Sequence, residues 1–262
     1  MNQFFEKKKE YSLLLLLAIL WSGSFTFMKI GVETIEPLTL TSLRLGLAAV
    51  LLISWQLIRR KSFHFNKQII VVCLFIGLIG NALPFALICW GEQYIDSGLA
   101  AALMGIMPIA TALLAHLFIR DEPFTLRIGL GIATGFGGLF ILVGSEAISG
   151  ITASVIAQIA ILISAICYGI STIFTRHYSG LSPDITLATG ATLAGFIWLA
   201  PITLFFEDPF QTSPELSGLL AILYLALGPT ALASVIFFYI IPRLGVNTFA
   251  QVNYLIPILG IT

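Results

Sequence analysis

Long apolar stretches alternate with short polar breaks along this sequence. Nine stretches stand out, at about 11–31, 38–58, 68–90, 97–119, 124–144, 151–175, 184–206, 214–241 and 246–262. A helix needs about 20 residues to cross the hydrocarbon of a bilayer, and the ninth stretch reaches the chain end with barely that length. The runs are too long, and alternate too weakly, for the strands of a membrane barrel. The pattern therefore predicts an all-α integral membrane protein in which helices occupy most of the chain. The breaks are short, so no soluble domain is inserted.

The first stretch has two readings. Lys7, Lys8 and Lys9 precede a leucine-rich run and small residues, as in a cleavable secretory signal. The pattern from Ala18 to Lys29 recurs, however, from Ala165 to Arg176. Trp21 meets Tyr168, Ser24 meets Ser171, Phe27 meets Phe174 and Lys29 meets Arg176, each 147 residues on. A disposable leader has no reason to recur in mid-chain, so the stretch reads as a retained first helix. Further matches follow in register. Gly80-Asn81 answers Gly228-Pro229, Trp90 answers Phe238, Ser97 to Ala101 answers Val246 to Ala250, and Pro108 answers Pro257. The division expected is a first repeat over 1–146 and a second over 147–262. A repeat of five helices is odd, so the second copy enters the membrane from the opposite face, as in many secondary transporters. The second copy is expected to be incomplete, with nine helices present of ten, because Thr262 aligns with about residue 113.

Composition agrees with this picture. The chain is 58% hydrophobic and only 10% charged, against roughly 25% charged for a soluble chain. Its formal net charge is zero, which implies no nucleic-acid partner. Of the 13 basic residues, 11 fall at the N-terminus or in alternate loops on one side. Lys29 and Arg44 lie toward the other, acidic side. The positive-inside rule then places the N-terminus in the cytoplasm of a multi-pass inner or plasma membrane protein. Cys73, Cys89 and Cys167 all fall in apolar segments, without a CxxC pair, and read as buried free thiols.

The motifs resemble one known family. Trp21-Ser22-Gly23-Ser24-Phe25 with Lys29, and Pro37 with Arg44, are similar to the first repeat of EamA-type transporters of the drug/metabolite transporter superfamily. So are Ser97 to Leu103, Pro108, Ala112 to Ala115, Asp121-Glu122-Pro123 and the glycine-rich run Gly129 to Gly144. The resemblance covers essentially the whole chain. It implies ten helices in two inverted repeats, a central cavity, and export or exchange of small metabolites or drugs. One departure concerns the second repeat, where Gly190 stands seven residues after Pro183 and no arginine answers Arg44.

Several side chains could serve such a cavity. Arg44 lies roughly 10 Å into the second helix. At that depth a charge faces a cavity or a partner: it docks a carboxylate or phosphate, snorkels, or pairs with Glu33, Glu36 or Asp96. Trp21 and Tyr168 hold equivalent positions and should point to one central space, with Ser24, Phe25, Ser171 and Thr172 on the same faces; packing is the competing role. Asn81, Phe85 and Trp90 flank the break at Pro84, which Pro229 matches. Pro108 and Pro257 form a second pair, with Met104, Tyr239, Asn253 and Tyr254 as further lining. Paired interruptions of this kind mark a binding site or simple hinges. Lys29 and Arg176 either anchor at the interfaces or gate by pairing with loop acids. Gly131 and Gly135 form a flat face for another helix, within the chain or in a homodimer. Asp96 reads as the helix cap of Ser97 onward, and Asp121-Glu122-Pro123 as a loop and cap for the fifth helix. His116 is an interface residue or a proton carrier.

Taken together, these features predict a secondary transporter of small molecules, amino acids or related compounds foremost, working by alternating access. A non-transporting or truncated membrane scaffold is the alternative. A membrane-embedded enzyme fits less well, since no HExxH, GxSxG or P-loop is present. No cofactor or metal is expected, and the partners expected are a small-molecule substrate and lipid.

Overall fold

The computed structural model describes residues 2–60, 65–143, 153–210 and 214–260. Nine helical stretches follow in order among them: α1 (Asn2–Val32), α2 (Pro37–Ile58), α3 (Lys67–Gly91), α4 (Ser97–Phe118), α5 (Leu126–Val143), α6 (Ala153–Tyr178), α7 (Asp184–Phe206), α8 (Leu216–Leu244) and α9 (246–260). Seven of them, α1 to α4 and α6 to α8, are long and apolar enough to cross a membrane. Large apolar side chains such as Val50, Leu117, Phe205 and Leu219 remain exposed, as expected of helices facing lipid. The chain is a multi-pass membrane protein.

The termini of these helices follow local rules. Pro37 opens α2 at its first position, where its missing N–H costs nothing. The Asn66 side chain accepts from Ile69 N–H and caps α3. Gly245 (φ +82°) turns the chain between α8 and α9. Two expectations are corrected here. Asp96 occupies the cap position of α4, but its side chain makes no capping bond. Glu122 caps α9 rather than α5: its carboxylate accepts from Val246 and Asn247 N–H at 2.9 and 3.0 Å. Glu207 does the same for α2, accepting from Leu38 and Thr39 N–H at 3.0 and 2.6 Å. Both helices are thus capped by a distant carboxylate.

Helix interruptions occur in pairs. π segments at Leu78–Ala82 and Ala226–Leu232 break α3 and α8, starting 148 residues apart. 3-10 segments at Met104–Ile106 and Gln251–Tyr254 precede Pro108 and Pro257. The physical cause is plain at Pro229. It has no N–H for the Leu225 carbonyl, and the ladder reopens around it.

Packing depends on small residues where helices approach. On α3, Gly77 lies against Ala191, Ala194 and Gly195 of α7, where an added Cβ would come within 2.8 Å of backbone. Gly190 of α7 meets Cys73, whose Sγ would be 2.5 Å from a Cβ. A larger side chain at this position would press on Cys73 and Phe65. Gln56 of α2 donates to Thr189 of α7, both buried. The largest apolar cluster surrounds α1, whose Leu17, Phe25 and Met28 pack with Met104, Met107, Ile240, Phe249 and Ile256. The flat face of α5 is occupied within the chain: Gly135 lies against the Tyr254 ring and Gly131 faces Gln251.

Candidate functional site

A central cavity of about 790 Å³, counting the part open to solvent, lies between α1, α2, α3, α4, α6, α8 and α9. On α1 its wall is Trp21, Ser24, Phe25 and Met28. That spacing is one helical stripe. On α6 the wall is Tyr168 and Ser171, so Trp21 and Tyr168 share one space. Asn81 and Phe85 of α3, Met104 of α4 and Asn253 of α9 also line it, as does Pro229 at the π segment of α8.

The polar focus is Arg44, which is fully buried. Its Nε and Nη2 donate to Thr230 Oγ1 at 3.0 and 2.9 Å, and Nη1 contacts Met28 Sδ at 3.3 Å. The guanidinium lies over the Phe85 ring, 4.0 Å from its centroid. Thr230 in turn donates to Leu225 O at 2.7 Å, the carbonyl that Pro229 leaves without a donor. One hydroxyl therefore mends the broken ladder and orients the arginine, with its donor and both acceptor positions used. None of the acids offered by the sequence pairs with Arg44, since among the described residues no carboxylate lies within ion-pair distance of it. Nor does it snorkel. A positive charge therefore stands in the cavity wall without an anion against it.

Two further cations, Lys29 of α1 and Arg176 of α6, bind backbone carbonyls of other helices. Lys29 Nζ donates to the carbonyls of Glu92 (2.6 Å) and Ile95 (3.1 Å), where α3 ends. Arg176 donates to Pro242 O (2.7 Å) near the end of α8 and pairs with Asp121 at 3.0 Å. Arg176 thus sits on a carbonyl of the last turn of α8 and Lys29 on carbonyls of the turn that follows α3, where the helix dipole favours a cation.

Four sequence candidates lie away from the cavity. Trp90 packs against Tyr94 with the two rings tilted. The Thr172 hydroxyl is bound to Tyr168 O of its own helix. Tyr239 is covered by the Arg243 guanidinium. Tyr254 packs on α5 and reaches Ile132 O at 3.5 Å. Pro84, Pro108 and Pro257 are absent from the wall as well, and sit behind it in the interrupted helices. His116 is exposed at the end of α4, and its Nδ1 accepts from Phe124 N–H. Lining that sequence reading missed is mostly apolar: Met28, Ile76, Ile88, Met107, Phe237, Phe238 and Ile256, with Gly80, Ala233 and Ser234. Met28 carried a signal, four residues after Ser24 on the same stripe. The others depend on how each helix is rotated.

Comparison with known proteins gives the family. Residues 8–144 and 155–262 each match the EamA-like transporter family. The chain is 22% identical over 245 residues to the uncharacterized transporter YoaV of Bacillus subtilis, covering 94% of this chain and 84% of that one. It is 25% identical over 247 residues to a protein of Streptantibioticus cattleyicolor named "Probable terminal-alkyne amino-acid exporter", covering 93% of this chain and 80% of the relative. A crystal structure of a protein sharing 20% of the sequence superposes with a TM-score of 0.77 over 96% of this chain and 85% of the other, which shows a common fold. The chain therefore belongs to the EamA-like transporter family, and is a multi-pass membrane transporter rather than an enzyme.

Proposed function

We propose that this transporter moves small metabolites bearing a carboxylate, amino acids foremost, by alternating access around the central cavity. One observation carries the reading: Arg44 is fully buried in the cavity wall with no acid in ion-pair distance. A buried charge costs several kcal/mol unless something compensates it. A substrate carboxylate supplies that compensation, bound through guanidinium N–H groups that the Thr230 hydroxyl leaves free to turn inward. The aromatic wall of Trp21, Phe25, Tyr168 and Phe237 suits an apolar side chain or ring. The printed name of the S. cattleyicolor relative, an amino-acid exporter, supports the substrate class and makes outward movement the first direction to assay. The two family matches and the paired π and 3-10 segments support inverted repeats. The basic loops support a cytoplasmic N-terminus.

The test is transport in proteoliposomes with a panel of radiolabelled amino acids and their decarboxylated amines. The wild type moves at least one amino acid faster than empty vesicles and does not move its amine. Arg44→Ala loses that movement, by about a hundredfold for a charge-assisted contact. Transport of amine and amino acid alike, or an unaffected Arg44→Ala, rules the docking role out.

A further inference from the structure

Glu92 is a second charged-type side chain buried near the cavity. It is fully buried, and neither carboxylate oxygen has a hydrogen-bond partner among the described residues. Phe85, Ile88 and Glu92 follow one face of α3 and its C-cap, and the first two line the cavity. Four residues of helical rise place Glu92 roughly 6 Å beyond Ile88. Its side chain thus lies just past the cavity, at the end of α3 that Lys29 binds. Lys29 from α1 grips the backbone carbonyl of this same residue at 2.6 Å. The titratable groups facing it are Lys29 from α1, Arg44 from α2 and Cys89 on its own helix. From α6, the neighbours of Gly91 are Ala157 and Ile161, which do not ionise.

We infer that Glu92 is a proton-binding site of the transport cycle, and that its protonation is linked to occupation of Arg44 by the substrate carboxylate. This rests on the reading of Arg44 as the anion dock. Burial drives the carboxyl well above its ordinary value of 4.5, while Lys29 and Arg44 favour the ionised form and hold it back. A substrate carboxylate at Arg44 neutralises one of those cations and adds a like charge. The Glu92 carboxylate then takes a proton from water and is held as the neutral acid. By reciprocity, the protonated form binds the anion more tightly. When Lys29 releases the end of α3, water reaches Glu92 and the proton returns to it. Substrate and proton accordingly move in the same direction, set by the sum of their gradients.

The experiment measures amino-acid binding to the purified full chain from about pH 5 to about pH 9, and proton movement in proteoliposomes loaded with a pH dye. The probe is the radiolabelled amino acid that the wild type moves fastest. Wild-type affinity is constant at low pH and falls by up to about tenfold per pH unit once Glu92 ionises. Glu92→Gln imitates the neutral acid. It binds at the low-pH affinity throughout and moves substrate without protons. If it keeps the wild-type pH profile or still carries protons, Glu92 is not the site. Should Glu92→Gln aggregate, Glu92→Asp decides: its pH midpoint shifts if the carboxyl at this position titrates, and an unshifted midpoint overturns the inference. A wild type that moves no amino acid removes the transport reading and this inference together. Coupled transport lost by Arg44→Ala but unaltered in Glu92→Gln removes the inference alone.

Discussion

Glu207 illustrates how one side chain can join two helices. It ends α7, yet its oxygens accept from Leu38 and Thr39 N–H and from the Thr39 hydroxyl at the start of α2. Glu36, the local cap position, makes no capping bond of its own. Glu207→Ala should therefore cost about 2 kcal/mol, seen as a lower melting temperature of the detergent-solubilised protein, whereas Glu36→Ala should leave it unchanged. Glu92 gives a pH-dependent prediction. Its folded-state pKa is raised by burial, so the stability it contributes is complete below its ordinary value of 4.5 and is lost as pH rises toward the folded value. Glu92→Gln removes that loss. The variant and wild type should melt together in acid, and the variant should melt higher in alkali. A difference of the opposite sign would contradict burial of the carboxyl.

At the scale of the element, α8 shows how an irregular segment makes a site. Pro229 frees the Leu225 carbonyl, and Thr230 answers it while holding Arg44. Thr230→Val keeps the shape and removes the hydroxyl. It should cost about 2 kcal/mol through two buried groups left unpaired, and weaken amino-acid binding about tenfold by releasing the guanidinium; Thr230→Ser should restore most of both. Melting and binding measured on the two variants check this. The position of the break was legible in Gly228-Pro229 and its match in Gly80-Asn81, because proline acts through its own backbone. Its partner was not legible. Thr230 and Arg44 are 186 residues apart, and only the docking of α8 on α2 joins them.

For the whole molecule, Lys29 and Arg176 stand at equivalent positions of α1 and α6 and bind carbonyls at the ends of α3 and α8. The Arg176 end has an additional ion pair with Asp121. Arg176→Ala should bias the transporter toward opening at that end. A cysteine placed at Ser24 on the cavity wall should then react about threefold faster with a water-soluble maleimide from the Arg176 side, and no faster from the Lys29 side. Equal rates would assign Arg176 to anchoring alone.

The sequence by itself determined the membrane class, the nine apolar stretches, the sidedness of basic charge and the pairing of helix interruptions. Each depends on local features: apolar runs of spanning length, lysine and arginine in loops, proline without an N–H. It also placed Trp21, Tyr168 and Arg44 at the right depth for one cavity. Only the tertiary structure decided which polar groups meet. Helix rotation turned Tyr239 and Tyr254 away from the cavity and Phe237 toward it. Packing buried Glu92, the residue after α3, in the field of two cations. Close contact of Gly190 with Cys73 set α7 tightly against α3. Such outcomes depend on residues far apart in sequence, brought together by the fit of one helix against another.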